Sequence, residues 1–176
     1  MVDRAVRPAG VAAFVSIGGL WNIRGEVISD RKPRSCNLGV WWDGDFLREI
    51  LDGNRITKWN WLRGTESPLL AARGCAANNG TKSNPCLCAD ILGDWREEVL
   101  WRTTDGKELR IYTTPIPTEH RLVTLMHDPQ YRLSAAWQNV GYNQPTQPGF
   151  YLGDGMAIPP RPRIVVPPAP APAVRP

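Results

Sequence analysis

Short runs of alternating hydrophobic and polar residues, separated by turn signals, dominate the chain between residues 20 and 156. Such alternation is typical of β-strands, because successive side chains of a strand point to opposite faces of its sheet. Asp-Gly, Asn-Gly and proline-containing segments between the runs favour tight turns. We predict strands at residues 38–42, 98–102, 109–113, 121–125 and 133–137.

Helical periodicity is short everywhere, and residues 46–52 could form one short helix at most. The chain has 176 residues, the size of a single domain, and it contains 8 Trp, 16 Gly and 17 Pro. This composition agrees with many short strands that are joined by turns. We therefore predict an all-β fold and exclude a helix bundle.

A weak internal repeat relates residues 42–59 to residues 92–112. Both segments contain a Gly-Asp pair, then Arg-Glu, then an apolar pair and an Asp-Gly turn, and the two Gly-Asp pairs lie 49 residues apart. A period of this length is close to that of one four-stranded propeller blade. The alternative is that two β-hairpins rich in Asp-Gly resemble each other by chance.

The two ends of the chain differ from its central part. The last eighteen residues, 159–176, contain eight prolines, which fix φ and remove backbone donors, so neither a helix nor a strand is expected there. We divide the chain into an N-terminal segment without assigned structure at 1–19, a β-rich part at 20–156 and a proline-rich tail or linker at 157–176. Residues 1–19 show no clear small-residue cleavage site, so we assign no signal peptide.

Charge and hydrophobicity narrow the class of partner. The longest apolar run is far shorter than the roughly 20 residues of a membrane helix, which excludes a transmembrane role. Lys and Arg number 21 against 17 Asp and Glu, a net charge of +4, but the positive residues are scattered. A nucleic-acid partner is therefore not favoured.

Four cysteines leave the redox state open. A disulfide between Cys75 and either Cys86 or Cys88 is conceivable in an oxidising compartment. A zinc site is disfavoured, because the Cys-x-Cys spacing of Cys86 and Cys88 is not the usual Cys-x-x-Cys and no second pair exists.

Two acidic segments have the character of calcium loops. In DILGDWREEV, residues 90–99, carboxylates and one backbone carbonyl could be turned inward around a glycine and offer the hard oxygen ligands that Ca²⁺ prefers. The segment WDGDFLRE, residues 42–49, offers a similar set in which Glu49 would join two aspartates. In the alternative interpretation, these acids cap turns and pair with Arg48 and Arg96. The candidate ligands are Asp90, Asp94, the Leu92 carbonyl and Glu97 or Glu98, with Asp43 and Asp45 in the earlier segment.

Two further segments contain candidate functional residues. NNGTKSNP, residues 78–85, surrounds Lys82 with polar side chains, and a lysine beside buried walls can act as a base, although a solvated loop lysine is commoner. WQNVGYNQPTQPGFY, residues 137–151, combines aromatic faces with amides, which is a pattern that binds sugar rings. The alternative for Trp137 and Tyr142 is core packing. The histidines, His120 and His127, are predicted to be structural.

Several longer stretches carry a family resemblance. CNLGVWWDGDFLREILDG, NNGTKSNPCLCADILGDWREEV, LRIYTTPIPTEHRLVTLMHDPQYRLSAAWQNVGYNQP and GFYLGDGM together resemble the C-terminal part of bacterial rhamnogalacturonan lyases, polysaccharide lyase family 11. The resemblance implies a secreted, calcium-dependent enzyme that cleaves rhamnose–galacturonate bonds of rhamnogalacturonan I in pectin by β-elimination. It also implies that the all-β fold consists of β-propeller blades, a partial set from an eight-bladed propeller.

The resemblance also implies roles for individual residues. Lys82 and Tyr142 correspond to catalytic-site residues, and the metal ligands correspond to Asp90, Leu92, Asp94 and Glu97. Substrate-binding groups correspond to Asn79, Gly80 and Thr81. Thr146 and Gln147 depart from the usual continuation of the YNQP motif. Because only two to three blades are expected, we expect a fragment whose partners include missing upstream blades or another domain joined through the tail. A non-catalytic carbohydrate-binding module and an inactive fragment are the alternatives.

Overall fold

Eleven short β-strands and two short helical segments form in the part of the chain that the computed structural model describes. This part consists of residues 13–16, 19–22, 24–60, 62–141, 143–153, 155–163 and 165–166. The strands are β1 Ala13–Ser16, β2 Gly19–Asn22, β3 Val27–Ser29, β4 Leu38–Val40, β5 Glu49–Asp52, β6 Arg55–Asn60, β7 Thr65–Ala71, β8 Cys75–Ala76, β9 Leu87–Ala89, β10 Glu98–Thr103 and β11 Leu109–Tyr112. A 3₁₀ turn at Leu125–His127 precedes the helix α1, Pro129–Trp137.

The strands assemble into three antiparallel sheets within the described residues. β1, β2 and β3 form a three-stranded sheet, and β4 to β7 follow one another in a four-stranded sheet. The remaining sheet has the order β11-β10-β8, with β9 also paired to β10. The turn between β5 and β6 contains Gly53 at a φ of 61°, a left-handed conformation that a two-residue hairpin turn favours and that glycine adopts without strain.

Both four-stranded sheets contribute to one hydrophobic core. Its buried side chains come from one face of each sheet, as the alternation along the strands requires. They are Leu38, Val40, Trp42, Leu51, Ile56, Ala72, Cys75, Cys88, Val99 and Trp101. A second cluster packs α1 and the C-terminal segment against the loops that follow β4 and β9; its buried members are Trp41, Ala89, Trp95, Leu125, Tyr131 and Leu152.

The prediction of propeller blades is wrong. A propeller arranges its sheets in a ring around a central channel, and the three sheets of the described residues form no closed ring. Two four-stranded sheets instead pack on a shared core in a β-sandwich-like arrangement. The repeat of 49 residues suggested blades because two successive antiparallel sheets of similar length give such a period in either architecture.

The strands predicted at 38–42, 98–102 and 109–113 match β4, β10 and β11 within two residues at either end. Residues 121–125 form no strand, and residues 133–137 belong to α1. This helix begins with Asp128, whose Oδ1 accepts the Tyr131 N–H at 2.8 Å, and with Pro129 at its first position. Those two N-terminal signals outweigh the short alternation that suggested a strand.

The short helix considered at 46–52 does not form, because Glu49–Asp52 is strand β5. The burial of Glu49, Ile50 and Leu51 and the ladder of β5 with β4 and β6 override the weak helical pattern of that segment. Within the described ranges, no helix has the length and apolar character needed to cross a bilayer.

All four cysteines are free thiols. Cys75 and Cys88 lie in the shared core, where they pack as small hydrophobic side chains. Burial raises the pKa of Cys88 well above its ordinary value, and the Glu97 charge acts in the same direction. The disulfide considered from the sequence is therefore not formed in this structure.

Gln138, which follows α1, pairs with the outer edge of β9. Its Oε1 accepts the Cys88 N–H at 2.7 Å, and its Nε2 donates to the Cys88 carbonyl at 3.0 Å. Because β9 pairs with β10 on its other side, this side chain satisfies backbone groups that would otherwise form an open strand edge. Only 2% of Gln138 is exposed.

Replacing Gln138 with Ala is expected to lower the free energy of unfolding by about 2 to 4 kcal/mol, because a buried N–H and a buried carbonyl lose their partners together. Urea unfolding of the purified chain measures the change. Gln144→Ala, at an exposed position, serves as control and should alter stability by less than about 0.5 kcal/mol. Equal midpoints for the two variants would contradict the role of Gln138.

Candidate functional site

Two loops share one construction. The first loop, residues 41–48, follows β4, and the second loop, residues 90–97, follows β9 after the same interval of 49 residues. Each loop is closed by the glutamate that begins the next strand, because one of its carboxylate oxygens accepts two successive backbone N–H groups. Glu49 accepts from Trp42 at 2.9 Å and Asp43 at 3.2 Å; Glu98 accepts from Ile91 and Leu92, both at 2.9 Å. The repeat in the sequence is therefore a repeat in the structure.

The first loop gathers three carboxylates around a lysine. Oxygen atoms of Asp43, Asp45 and Glu49 lie within 4.8 Å of one another, the one such group of potential metal ligands among the described residues. The Nζ atom of Lys58, on β6, contacts Asp43, lies 2.8 Å from Asp45 and lies 3.3 Å from the second oxygen of Glu49. An ammonium group therefore neutralises part of the negative charge that a metal ion would otherwise neutralise.

Burial shapes the charge of this cluster. Burial raises the pKa of Glu49 from 4.5 to about 8; the Asp43 charge acts in the same direction, and Lys58 opposes it. Burial alone would lower the pKa of Lys58, but the Glu49 charge and the hydrogen bonds to Asp43 and Asp45 hold it above its ordinary value. The lysine is therefore the fixed positive charge of the cluster, and Glu49 is the group that titrates near neutral pH.

The second loop has different partners at the corresponding positions. Asp94 pairs with Arg96 at 2.5 Å, and Glu98 accepts at 3.2 Å from the hydroxyl of Thr113, the residue that follows β11. Asp90 is fully buried, and both of its oxygens accept hydrogen bonds. Its donors are the Gly93 N–H at 2.8 Å, the Thr124 hydroxyl at 2.7 Å and the Leu125 N–H at 2.7 Å.

Glu97, at the end of the second loop, joins three other segments. One oxygen accepts the Trp41 N–H at 3.0 Å; the other accepts the Tyr131 hydroxyl at 2.7 Å and the Thr146 hydroxyl. The Tyr131 oxygen in turn accepts the Asp90 N–H at 2.8 Å. Burial raises the pKa of Tyr131 well above its ordinary value, and the Glu97 charge adds to the effect.

The structure thus brings Asp43 and Asp45 together and keeps the second set of predicted ligands apart. The carboxylates of Asp90, Asp94 and Glu97 each have separate partners, and the side chain of Leu92 is 64% exposed. Calcium at these four residues stays a prediction from the resemblance, and binding there would require these hydrogen bonds and ion pairs to be exchanged.

The tips of the two loops pack against each other through aromatic rings. Phe46 and Trp95 occupy corresponding positions, and their ring centroids lie 5.1 Å apart. His120 stacks on Phe46 at 3.9 Å and meets Trp95 edge-on at 6.3 Å. This packing agrees with a structural role for His120.

The loop at residues 78–85 is ordered by its own asparagines. The Oδ1 atom of Asn79 accepts the N–H groups of Lys82 at 2.8 Å and Ser83 at 3.1 Å. Ser83 has a φ of 51°, a left-handed conformation that this loop imposes on a residue other than glycine. Gly80 and Thr81 are exposed at the tip, and Lys82 is half-buried.

A chain of amide hydrogen bonds connects this loop with the segment after α1. Asn79 donates to the Oδ1 atom of the fully buried Asn84, and Asn84 donates to Asn139. Asn139 donates to the Cys86 carbonyl at 2.6 Å and accepts from Asn143 at 2.9 Å. Two motifs that lie far apart in the sequence are therefore neighbours. Tyr142 lies outside the described residues.

Sequence reasoning missed several residues of these networks. Lys58 lies on a strand and carries no local signal, but aligning the hairpins that follow the two loops would have placed it opposite Glu49. Asn84 and Asn139 were part of polar segments in which no single amide stood out. Thr146 was noted as a departure from the YNQP continuation, and it is a fully buried donor to Glu97.

Comparison with known proteins gives a family match over most of the chain. Residues 2–162 match the family described as "Rhamnogalacturonan lyase family 11, C-terminal domain". The chain is 60% identical to the rhamnogalacturonan endolyase YesW of Bacillus subtilis over 150 residues, covering 85% of this chain and 24% of that protein. It is 50% identical to the rhamnogalacturonan exolyase YesX of the same organism over 156 residues, covering 84% and 26%.

Solved structures agree with this match. The crystal structure of YesW aligns with a TM-score of 0.81 over 85% of this chain and 26% of that one, at 60% identity. The Bacillus licheniformis rhamnogalacturonan lyase PL11 aligns with a TM-score of 0.84 over 88% and 26%, at 57% identity. The chain spans about a quarter of the length of these relatives.

Replacing Lys58 with Met is expected to lower the free energy of unfolding at pH 7 by about 2 kcal/mol, because the carboxylates lose a partly buried counter-charge. The native chain keeps a proton on Glu49, whose pKa is about 8, while the unfolded chain has already released it above pH 4.5. Stability contributed by this group therefore falls as pH rises from about 4.5 to 8. Without Lys58 the pKa of Glu49 rises further, so the fall in stability extends to higher pH.

Urea unfolding between pH 5 and pH 9 measures both effects. Lys107→Met, which removes a charge from an exposed turn, is the matched control. A constant difference between Lys58→Met and the native chain across this pH range would contradict the coupling to Glu49.

Proposed function

This chain belongs to rhamnogalacturonan lyase family 11, as the C-terminal domain of that family, and from this premise we propose that it carries part of the catalytic site of a polysaccharide lyase. The proposed reaction cleaves the bond between rhamnose and galacturonate in rhamnogalacturonan I by β-elimination. Relatives of both endolyase and exolyase type match the chain, so cleavage at internal and at terminal bonds is equally compatible with the family.

The observation that supports this proposal best is the amide chain between residues 78–85 and the segment after α1. Asn79, Asn84 and Asn139 hold the lysine loop against the segment that contains the YNQP motif. The two segments named by the resemblance as catalytic are therefore spatial neighbours in a fold where their sequence separation alone would not require it. A half-buried lysine on an ordered loop suits proton transfer better than one on a free tip.

The reaction needs a base, an acid and a counter-charge. The base removes the proton on C5 of galacturonate, the electron pair forms the C4–C5 double bond, and the C4–O bond to rhamnose breaks. The departing rhamnosyl oxygen takes a proton from the acid. Neutralising the galacturonate carboxylate makes the C5 proton more acidic, which is the role of the counter-charge.

In this proposal Lys82 is the base or the partner of the galacturonate carboxylate, and Tyr142 is the companion proton-transfer group. Asn79, Gly80 and Thr81 bind the sugar beside them. The exposed backbone at Gly80 can approach a sugar hydroxyl closely, because nothing lies within 4 Å of the position that a Cβ atom would take.

The proposal includes a calcium ion that binds at the first loop. The donor set fits a divalent cation, since Asp43, Asp45 and Glu49 offer carboxylate oxygens within 4.8 Å, but Lys58 contacts the same oxygens. Calcium bound there would neutralise the cluster and stiffen the loop, with Lys58 displaced to solvent. The second loop fits less well, because its acids are already satisfied by hydrogen bonds and Arg96.

We propose the acidic plant polysaccharide rhamnogalacturonan I as the partner and an extracellular location, both from family membership. A non-catalytic carbohydrate-binding module is the second candidate. It is favoured by Trp137, the last residue of α1, which is 53% exposed.

Incubation of the purified chain with rhamnogalacturonan I is expected to produce the unsaturated galacturonate, and Lys82→Ala should slow its formation by about 10²-fold or more, because a general base contributes that much. Ultraviolet absorbance of the new double bond measures the rate. Lys107→Ala is the control and should cleave as the native chain does. Retained cleavage by Lys82→Ala would remove Lys82 from the mechanism, whereas binding without any cleavage by the native chain would favour the second candidate.

Calcium is expected to raise the midpoint of thermal unfolding, because a ligand that binds only the folded state stabilises it, by about 2.7 kcal/mol at one hundred times its dissociation constant. Lys58→Met should respond at lower calcium concentration than the native chain, since its loop lacks the competing ammonium. Scanning calorimetry with calcium, magnesium and chelator measures the shift. Asp43→Asn in the Lys58→Met background is expected to abolish it, and identical midpoints with calcium and chelator in every variant would exclude the first loop as a calcium site.

A further inference from the structure

A groove on the second sheet is not used by the proposed reaction. It lies along β6 and β7, has a volume of about 370 Å³ and has a lining that includes Asn54, Arg55, Thr57, Pro68, Leu70 and Arg73. We refer to these six residues as the arginine groove. Its volume is at the lower end of the roughly 300–1,000 Å³ of small-molecule sites.

The two arginines have unused binding capacity. Arg55 and Arg73 are exposed, and neither guanidinium has a hydrogen bond or ion pair to another described residue. The acids beside them have other hydrogen-bond partners. Asp52, opposite Arg55 in the ladder, accepts from Asn37 at 3.5 Å. Glu66 accepts from the Thr57 hydroxyl at 3.0 Å. Two unpaired guanidiniums in one groove match a carboxylate, which each can bind through parallel N–H groups.

The rest of the lining suits a sugar ring. Pro68 and Leu70 provide an apolar surface against which the C–H face of a pyranose can pack. The Nδ2 atom of Asn54 donates to the carbonyls of Ala72 and Cys75, at 3.0 and 3.1 Å, and this fixes the side chain. Its Oδ1 atom has no partner among the described residues and is available to a hydroxyl.

The groove is also connected to the lysine loop. The turn that precedes Asn54 donates a hydrogen bond from the Gly53 N–H to the Ser83 carbonyl, at 3.0 Å. Trp101 fixes the same turn by donating its Nε1–H to the Gly53 carbonyl at 2.8 Å. The groove therefore begins one residue from a backbone contact with the loop that carries Lys82.

From these contacts we infer that the arginine groove is a second saccharide site, which binds a galacturonate residue of the polymer through the guanidinium groups of Arg55 and Arg73. This inference rests on the proposed function for the class of saccharide. A polymer with a carboxylate on every second sugar, held in the groove, would be retained close to the Lys82 loop. The groove then contributes affinity for long chains and takes no part in the bond cleavage.

Titration of the isotopically labelled full chain with α-1,4-linked galacturonate trimer, followed by amide NMR, tests the site without any cleavable rhamnose–galacturonate bond. The amides of Arg55, Thr57 and Ala71 are expected to shift on binding. The double variant Arg55→Gln/Arg73→Gln should bind at least ten times more weakly, since both exposed charges are lost without disturbing the core. The double variant Lys107→Gln/Arg110→Gln removes the same charge from the exposed β10–β11 hairpin and should bind as the native chain does.

The trimer with its carboxylates reduced to alcohols tests the chemistry of recognition, and it should bind at least ten times more weakly than the acid. Equal affinity for the reduced trimer, equal affinity of the arginine variant, or tight binding of tetraglutamate would each overturn a galacturonate site in the groove. The outcome is separable from that of the lyase proposal. Cleavage of rhamnogalacturonan I without shifts in the groove refutes only the groove, whereas shifts in the groove without cleavage support it and contradict cleavage by this chain alone.

Discussion

The fully buried carboxylate of Glu97 is the constraint on which the arrangement of the loops, α1 and the C-terminal segment depends. A buried charge is costly unless donors surround it, and here they come from three separate segments: the Trp41 N–H, the Tyr131 hydroxyl and the Thr146 hydroxyl. Removing any of these segments would leave the carboxylate short of partners. Glu97 also donates its own N–H to the Trp41 carbonyl at 2.8 Å, so the two loops cannot move independently at this point. The residues after α1 are thereby fixed relative to the sheets, and with them the segment that faces the lysine loop.

The two loops share one backbone arrangement but have different partner side chains. In both, a strand-initiating glutamate closes the loop by accepting two backbone N–H groups, and its other oxygen faces the neighbouring strand. Lys58 on β6 meets Glu49 in one case, and the hydroxyl of Thr113, directly after β11, donates to Glu98 in the other. The lysine is matched by the additional carboxylate of Asp43, whereas the second loop has Leu92 at the corresponding position. The acids of the first loop therefore surround the ammonium group of Lys58. The second loop is held by neutral hydrogen-bond donors and by the ion pair between Asp94 and Arg96.

Local pattern predicted only β4, β10 and β11 among the eight strands of the two four-stranded sheets. The alternation of β4 and β10 in the sequence reflects the alternating burial that those strands show. Local pattern failed at residues 133–137, where Asp128 and Pro129 begin a helix. The prediction of propeller blades also failed, because the spacing of strands along a chain does not determine how sheets pack. In the site, the sequence indicated Asp43, Asp45 and Lys82 by residue type. It did not indicate Lys58, Asn84 or Tyr131, because their importance comes from contacts with other segments of the chain: Lys58 meets Glu49, Asn84 meets Asn139 and Tyr131 meets Glu97.

The choice of asparagine in the chain that supports the lysine loop has a physical reason. An amide both donates and accepts, so Asn79, Asn84 and Asn139 can be linked in series without any charge. A carboxylate at one of these positions could accept but not donate, so it would interrupt the series of hydrogen bonds. The segment at 78–85 contains no acid. A neutral support therefore orders this loop through the backbone N–H groups of Lys82 and Ser83 without placing a carboxylate beside the lysine.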